Sequence, residues 1–426
     1  MTDNLIDCWK KRDFIDAITS EDLTELFKTR SLKGYIGFDP TADSLHVGNL
    51  VGIIALRWMQ KFGHTPIVVL GGATGRIGDP SGKSTERPLL NEETIDQNIQ
   101  KIRKLFEKYL DFSDPKTKPL ILNNNDWLGK YSFIEFLRDI GKHFRVGPML
   151  AKDSVRSRIE SEEGISFTEF SYQILQGFDF YYLYKEYGAA VQLGGSDQWG
   201  NITAGIDLTR KLAHTSVYGI TFPLLTRSDG KKFGKSEEGA IWLDPNLTSP
   251  YKFYQYFIRV SDEDVIKLMQ RLTFMDTEEI MQFKQQMNSG QYQANSAQKR
   301  LAEELTLFVH GKTGLEKALK ATHIASPGSG ASNLDPHALE EIQKDMPNIS
   351  LPREQVIGKK YTDIAAASNF LSSKSEAVRL IKNGGAYLNN LKINDPNFTL
   401  ETDHIIGDKY CILGAGKKRK LLIILV

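Results

Sequence analysis

Residues 33–72 hold the feature that most restricts the fold, a strand, a helix and a second strand in close succession. Gly34-Tyr35-Ile36-Gly37-Phe38 reads as the first strand, and Leu50, Ile53, Ile54 and Trp58 then recur at helical spacing up to a stop at Gly63. Pro66-Ile67-Val68-Val69-Leu70 follows, a β-rich run bounded by glycines and without polar alternation, as in a strand covered on both faces. The alternation returns with a helix expected over 167–187, then Ala189-Ala190-Val191-Gln192-Leu193 as a buried strand and a Gly-Gly loop. Such units build an α/β, doubly wound parallel sheet that binds its ligands at the carboxyl ends of the strands.

At 426 residues the chain has room for two to four domains, at about 150 residues each. Its 40% hydrophobic and 25% charged residues exclude wholesale disorder, and its longest apolar run, residues 421–426, is far short of the roughly 18 residues of a membrane span. The N-terminus carries no apolar signal region, so no secretory leader is expected. Cys8 and Cys411 share no motif, which speaks against a disulfide framework or a zinc site and for a reduced, cytoplasmic or organelle-matrix setting. The net charge of +1 hides an asymmetry: residues 359–426 carry 11 basic and 6 acidic side chains, with the run Lys417-Lys418-Arg419-Lys420. That excess suits a module that neutralises nucleic-acid phosphates, or a solvated basic patch. Residues 249–321 read as helical, and the small polar run 326–333 as a linker.

Five constellations carry chemistry. In Gly37-Phe38-Asp39-Pro40-Thr41 to His46-Val47-Gly48-Asn49, a strand end meets a helix start, where unpaired amides and the helix dipole attract anions; His46 and Asn49, three apart, share a face. Capping by Ser44 beside a surface His is the plainer reading. Gly71-Gly72-Ala73-Thr74-Gly75-Arg76-Ile77-Gly78-Asp79-Pro80-Ser81-Gly82-Lys83-Ser84 fits neither a P-loop, whose spacing it misses, nor a dinucleotide fingerprint, which Asp79-Pro80 would interrupt. Tyr172, Gln176 and Asp179 form a polar stripe on a helix otherwise rich in Phe, Ile, Leu and Tyr, as in a pocket for a small polar aromatic ligand or on an exposed face. Gln192 to Asn201 follows a strand, and Lys231-Lys232-Phe233-Gly234-Lys235-Ser236 offers cations able to close over a triphosphate, or only a surface charge run.

In this order the motifs resemble those of the class I aminoacyl-tRNA synthetases, closely those of the bacterial and organellar tyrosyl type. His46-Val47-Gly48-Asn49 stands where that family has HIGH, and Lys232-Phe233-Gly234-Lys235-Ser236 where it has KMSKS; Asn49 and Phe233-Gly234 depart from the pattern. The resemblance implies a Rossmann-like catalytic domain over 1–225, a KMSKS-like loop and α-helical tRNA-binding domain over 226–325, a linker over 326–358 and a small α+β, S4-like RNA-binding domain over 359–426. It places Tyr35 and Asp179 at the hydroxyl of a bound tyrosine, and Asp79, Tyr172 and Gln176 at its ammonium, with Gln192 near that end. Gly37, Asp39, Thr41, His46, Gly48, Asn49, Gly195, Asp197 and Gln198 fall around ATP or the adenylate, and Lys83, Arg87, Lys232 and Lys235 around pyrophosphate.

The implied activity is tyrosine-tRNA ligation with ATP and its Mg2+, tRNA(Tyr) as acceptor, a homodimer and no membrane partner. A tryptophanyl-type synthetase is the nearest alternative, and Tyr35 with Asp179 favours tyrosine. A nicotinamide-dependent reductase using Gly72 to Gly78 would leave the lysine loop unexplained, and a non-catalytic RNA-binding protein would not need the pocket residues.

Overall fold

The computed structural model describes residues 4–82, 90–236, 239–290, 292–324, 334, 336–343, 346–416 and 419–426. The chain divides into two units: Met1–Asp244 with Glu263–Tyr292, and Pro245–Asp262 with Gln293–Val426.

The first unit is built on a six-stranded sheet with strands β1 (Ala17–Ile18), β2 (Lys33–Phe38), β3 (Thr65–Leu70), β4 (Leu120–Asn123), β5 (Ala189–Gly195) and β6 (Tyr218–Phe222), in the order β1-β6-β5-β2-β3-β4. All neighbours run parallel except the β1 edge, antiparallel to β6. Ile67, Val68 and Leu70 are fully buried, in keeping with the unbroken apolar run. From β2 the chain winds through β3 to β4 and then returns to β5 on the other side of β2, which opens a crevice at the carboxyl ends of β2 and β5.

Local signals set the helices that flank this crevice. The Leu50–Lys61 helix is entered through a short 3-10 turn, Val47–Asn49, and ten of its residues are buried. The Phe167–Tyr187 helix starts at Ser166, whose side chain accepts from the Glu169 amide, and stops at Gly188 in the left-handed conformation (φ 72°). Gly194 and Gly195, expected in a loop, are instead the last residues of β5. The short strand β7 (Lys235–Ser236) pairs with β8 (Gly239–Ala240).

In the second unit the Pro250–Ile258 and Ser296–Ile324 helices precede a five-stranded sheet of β9 (Asn348–Leu351), β10 (Ala386–Leu388), β11 (Leu391–Lys392), β12 (Tyr410–Ala415) and β13 (Arg419–Leu425), in the order β11-β10-β12-β13-β9. Alternation along β12 and β13 sends Cys411, Leu413, Leu421 and Ile423 to a core shared with Tyr361, Ile364, Ala377 and Ile381 of two further helices. Tyr410, Ile412 and Leu422 point the other way, against Ala321, Ile324, Leu339 and Ile342. Covering both faces accounts for the apolar C-terminal run. Residues 348–351, expected within the linker, form the edge strand β9 parallel to β13, and Val356 is fully buried in the same core. The fold of this sheet therefore starts before Lys359. The run 326–333 and Lys417-Lys418 lie outside the described residues. Among the described residues no helix is long and apolar enough to cross a membrane.

Candidate active site

At the carboxyl ends of β2, β3 and β5 lies a cavity of about 340 Å³. It is lined by Tyr35, Gly37, Asp39, Thr41, His46, Gly48, Asn49, Asp79, Tyr172, Gln176, Asp179, Gln192, Gly195, Asp197 and Gln198, so the expected residues from four separate chain segments meet in one place, without Lys232 of the lysine loop. Lys83 and Arg87 lie outside the described residues, as does the side chain of Lys235.

One end of the cavity is a buried hydrogen-bonded chain. Asp179 accepts from Trp127 Nε1 at 2.7 Å on one oxygen and from Asn124 Nδ2 at 3.0 Å on the other. Burial raises the Asp179 carboxyl to about 7, against the pull of those two donors. Beside it the Tyr35 hydroxyl is buried with no hydrogen-bond partner among the described residues, and its ring meets Phe180 edge-on at 5.3 Å. Burial, then the Asp179 charge, push the Tyr35 phenol well above its ordinary value. Gln192 Oε1 is likewise buried without a partner. Unpaired buried polar atoms are costly, so two of them facing one cavity mark a place where a ligand's polar groups complete the bonding.

The chain continues toward the middle of the site. Asn124 Nδ2 also donates to Thr74 Oγ1 at 2.9 Å, and Thr74 donates to Asp39 Oδ1 at 2.8 Å. Tyr172, expected at the ammonium, donates its hydroxyl to Asp39 Oδ2 at 2.9 Å. Gly71 makes this possible, because a Cβ there would fall 2.0 Å from Asp39 Oδ1. Asp79 accepts from Gln198 Nε2 at 2.8 Å and from the Ser81 amide at 2.9 Å. Asp197 has its carboxyl raised by burial and by the neighbouring Asp79 charge.

The opposite end lies near the lysine loop, whose Lys232 acts on the lining residue Asp197 without itself lining the cavity. Asn49 Oδ1 accepts from the His46 amide at 3.0 Å, which leaves the Asn49 carboxamide nitrogen as a donor. Lys232 is exposed and donates to the Gly82 carbonyl at 3.1 Å, while Phe233 is buried. Gly234 has φ 92°, and a Cβ on it would lie 3.0 Å from the Gly48 amide nitrogen. The Phe-Gly departure from KMSKS thus has a local cause: an apolar anchor and a left-handed turn seat the loop against the helix start. The backbone on either side joins in, with Val47 donating to the Ile241 carbonyl and Ile241 to that of Gly234, each at 2.9 Å.

Thr74, Asn124, Trp127 and Trp242 were not anticipated from sequence. The run Asn123-Asn124-Asn125 directly after Leu120-Ile121-Leu122 was the available signal, polar residues at a strand's carboxyl end.

The family described as tRNA synthetases class I (W and Y) matches residues 28–325, and the tyrosine--tRNA ligase SYY-like C-terminal domain matches 338–423. The chain is 54% identical to the tyrosine--tRNA ligase of Protochlamydia amoebophila over 99% of its own length and 98% of that protein. It is 48% identical to the chloroplastic/mitochondrial tyrosine--tRNA ligase of Arabidopsis thaliana, covering 99% of this chain and 83% of the relative. Among solved structures, a C-terminally truncated Aspergillus nidulans mitochondrial tyrosyl-tRNA synthetase superposes with a TM-score of 0.66 at 30% identity, over 74% of this chain and 92% of that one. With a pocket built at the sheet's crevice and family matches over both parts of the chain, this protein belongs to the tyrosine--tRNA ligases, class I aminoacyl-tRNA synthetases with a C-terminal domain of the same family.

Proposed function

We propose that the cavity binds L-tyrosine with its ring toward Asp179 and its carboxylate toward the α-phosphate of ATP. The carboxylate oxygen attacks the α-phosphorus in line and pyrophosphate leaves; the terminal ribose hydroxyl of tRNA(Tyr) then takes the tyrosyl group from the adenylate. The observation that carries this reading is the buried, unpartnered Tyr35 hydroxyl beside the Asp179 carboxylate. A phenolic O–H accepting from Tyr35 and donating to Asp179 pairs the orphan hydroxyl and adds a further donor to the carboxylate, whereas an apolar ring leaves the Tyr35 hydroxyl unpaired. Asp79, with Tyr172, Gln176 and Gln192, takes the ammonium end; the Tyr172 hydroxyl donates to Asp39 and offers its oxygen as the acceptor.

Thr41, His46, Asn49 and the cations Lys83, Arg87, Lys232 and Lys235 stabilise charge that moves onto the phosphates, and no side chain needs to become covalently bound. Gly37, Gly48, Gly195, Asp197 and Gln198 hold the nucleotide part. Magnesium enters as the counter-ion of ATP; among the described residues no group of three His, Cys, Asp or Glu is placed to hold a metal. Residues 1–225 and 226–325 serve as catalytic and helical tRNA-binding parts, and the C-terminal S4-like RNA-binding part takes in β9 as well as residues 359–426, whose excess of basic residues supports phosphate contact.

A homodimer is supported by exposed apolar side chains crowded into one stretch, with Phe133, Ile134, Val146 and Phe167 each at least 60% exposed. Work in the cytoplasm accords with Cys8 and Cys411 forming no disulfide. Tyrosine-dependent exchange of labelled pyrophosphate into ATP tests the reading: exchange with tyrosine alone among the twenty amino acids is expected, and folded protein without it would refute the proposal.

A further inference from the structure

Asn201 belongs to none of the groups assigned above, yet it is 4% exposed and sits where two loops of the site meet. It is the third residue of the Trp199–Ala213 helix, which follows β5 through the 3-10 turn Ser196–Gln198. Its Nδ2 lies 3.2 Å from Gln198 Oε1, 3.3 Å from Ser81 Oγ and 3.4 Å from Asp79 Oδ1, so two protons are shared among three oxygens. Gln198 in turn donates to Asp79 Oδ2. The result is a closed triangle of Asp79, Gln198 and Asn201 joining the loop after β3 to the turn after β5.

A carboxamide can present its oxygen or its nitrogen at a given place. Asn201 donates to Gln198 Oε1 while Gln198 Nε2 donates to Asp79, so Asn201 and the carboxylate select the same orientation of the carboxamide; without Asn201 the oxygen end of Gln198 loses this donor, and only its nitrogen end is held within the triangle. A further consequence falls on Asp79, whose two oxygens are held by Gln198 and the Ser81 amide. Side chains locked in this way keep a binding carboxylate in one geometry, which lowers the ordering cost when a cation arrives.

We infer that Asn201 is a positioning residue for tyrosine activation: it fixes the Gln198 carboxamide and, through it, the Asp79 carboxylate that receives the substrate ammonium. This rests on the assignment of Asp79 to the ammonium, and the test separates the two. Affinities of the full-length protein for tyrosine and for 3-(4-hydroxyphenyl)propionate, which lacks the ammonium, are measured in wild type, Asp79→Ala and Asn201→Ala. The ratio of the two affinities is taken within one preparation, so partial unfolding cancels; Asn201→Ser, equally unable to reach Gln198, replaces the alanine variant if that one does not fold. In Asn201→Ala, tyrosine binding is expected to weaken by about tenfold and binding of the propionate by less than about twofold, as for loss of one hydrogen-bonded positioning contact. Equal losses for both ligands, or none for either, overturn the inference while leaving Asp79 in its role. A ratio that does not move in Asp79→Ala overturns the assignment of Asp79, and the inference with it.

Discussion

The two ends of the cavity are built on opposite principles. At the end proposed to read the substrate hydroxyl, Tyr35, Asp179, Asn124 and Trp127 are all buried, and both oxygens of Asp179 are held by donors. At the end proposed to meet the phosphates, Lys231 and Lys232 are exposed on a loop seated by the Phe233 side chain and the backbone around Gly234. The difference teaches where each task can be done. Telling tyrosine from phenylalanine depends on unpaired buried polar atoms, which only a fixed, dry site makes expensive. Stabilising a leaving pyrophosphate needs charge near developing charge, and a cation that acts only in the transition state raises kcat without tightening ground-state binding.

The largest effect expected from breaking this contrast is at the lysine loop. Lys232→Ala should slow adenylate formation by about a hundredfold, the size of losing one electrostatic contact to the transition state, with tyrosine affinity nearly unchanged. Rapid-quench measurement of single-turnover adenylate formation checks this, and equal losses in rate and in tyrosine binding would contradict the division of labour. Asp179→Asn should do the reverse: kcat/KM for tyrosine falls by about tenfold or more, through loss of a charge-assisted bond, while phenylalanine is affected far less.

A smaller effect follows from pH. In the role proposed for Asp179 the form that accepts the hydroxyl is the carboxylate, and burial raises its titration to about 7, so kcat/KM for tyrosine should fall as pH drops through about 7. Trp127→Phe removes a donor that favours the ionised form, so the midpoint should move to higher pH. A profile flat between pH 6 and 8 would show that Asp179 titrates elsewhere. The same shift has a sign for stability: a carboxyl raised on folding stabilises the fold below its ordinary range near 4, and that contribution is lost as pH rises from there toward 7.

Most of this architecture was legible where local chemistry decides it. The expected helix over 167–187 coincides with Phe167–Tyr187 because Ser166 and Gly188 cap it, and β3 was evident because it is buried on both faces. Asp179 stood out as a polar group on an aromatic-rich helix, whereas Tyr35 was marked only by the family resemblance. Asn124 and Trp127 were not legible, since their value comes from β4 lying beside β3, which sets Asn124 against a carboxylate 55 residues further along the chain. Strand β9 escaped for a related reason. Asn348-Ile349-Ser350-Leu351 is short and half polar, and only its pairing with β13 makes it a strand.

The central claim is that the hydroxyl of tyrosine is read by the buried pair Tyr35 and Asp179. The most direct test compares kcat/KM for tyrosine and phenylalanine in wild type and in Tyr35→Phe. Removing one neutral hydrogen bond of about 1 kcal/mol should lower the tyrosine-to-phenylalanine ratio by about fivefold, with the rate for phenylalanine unchanged or slightly higher. An unchanged ratio would contradict the account and assign the hydroxyl to another residue.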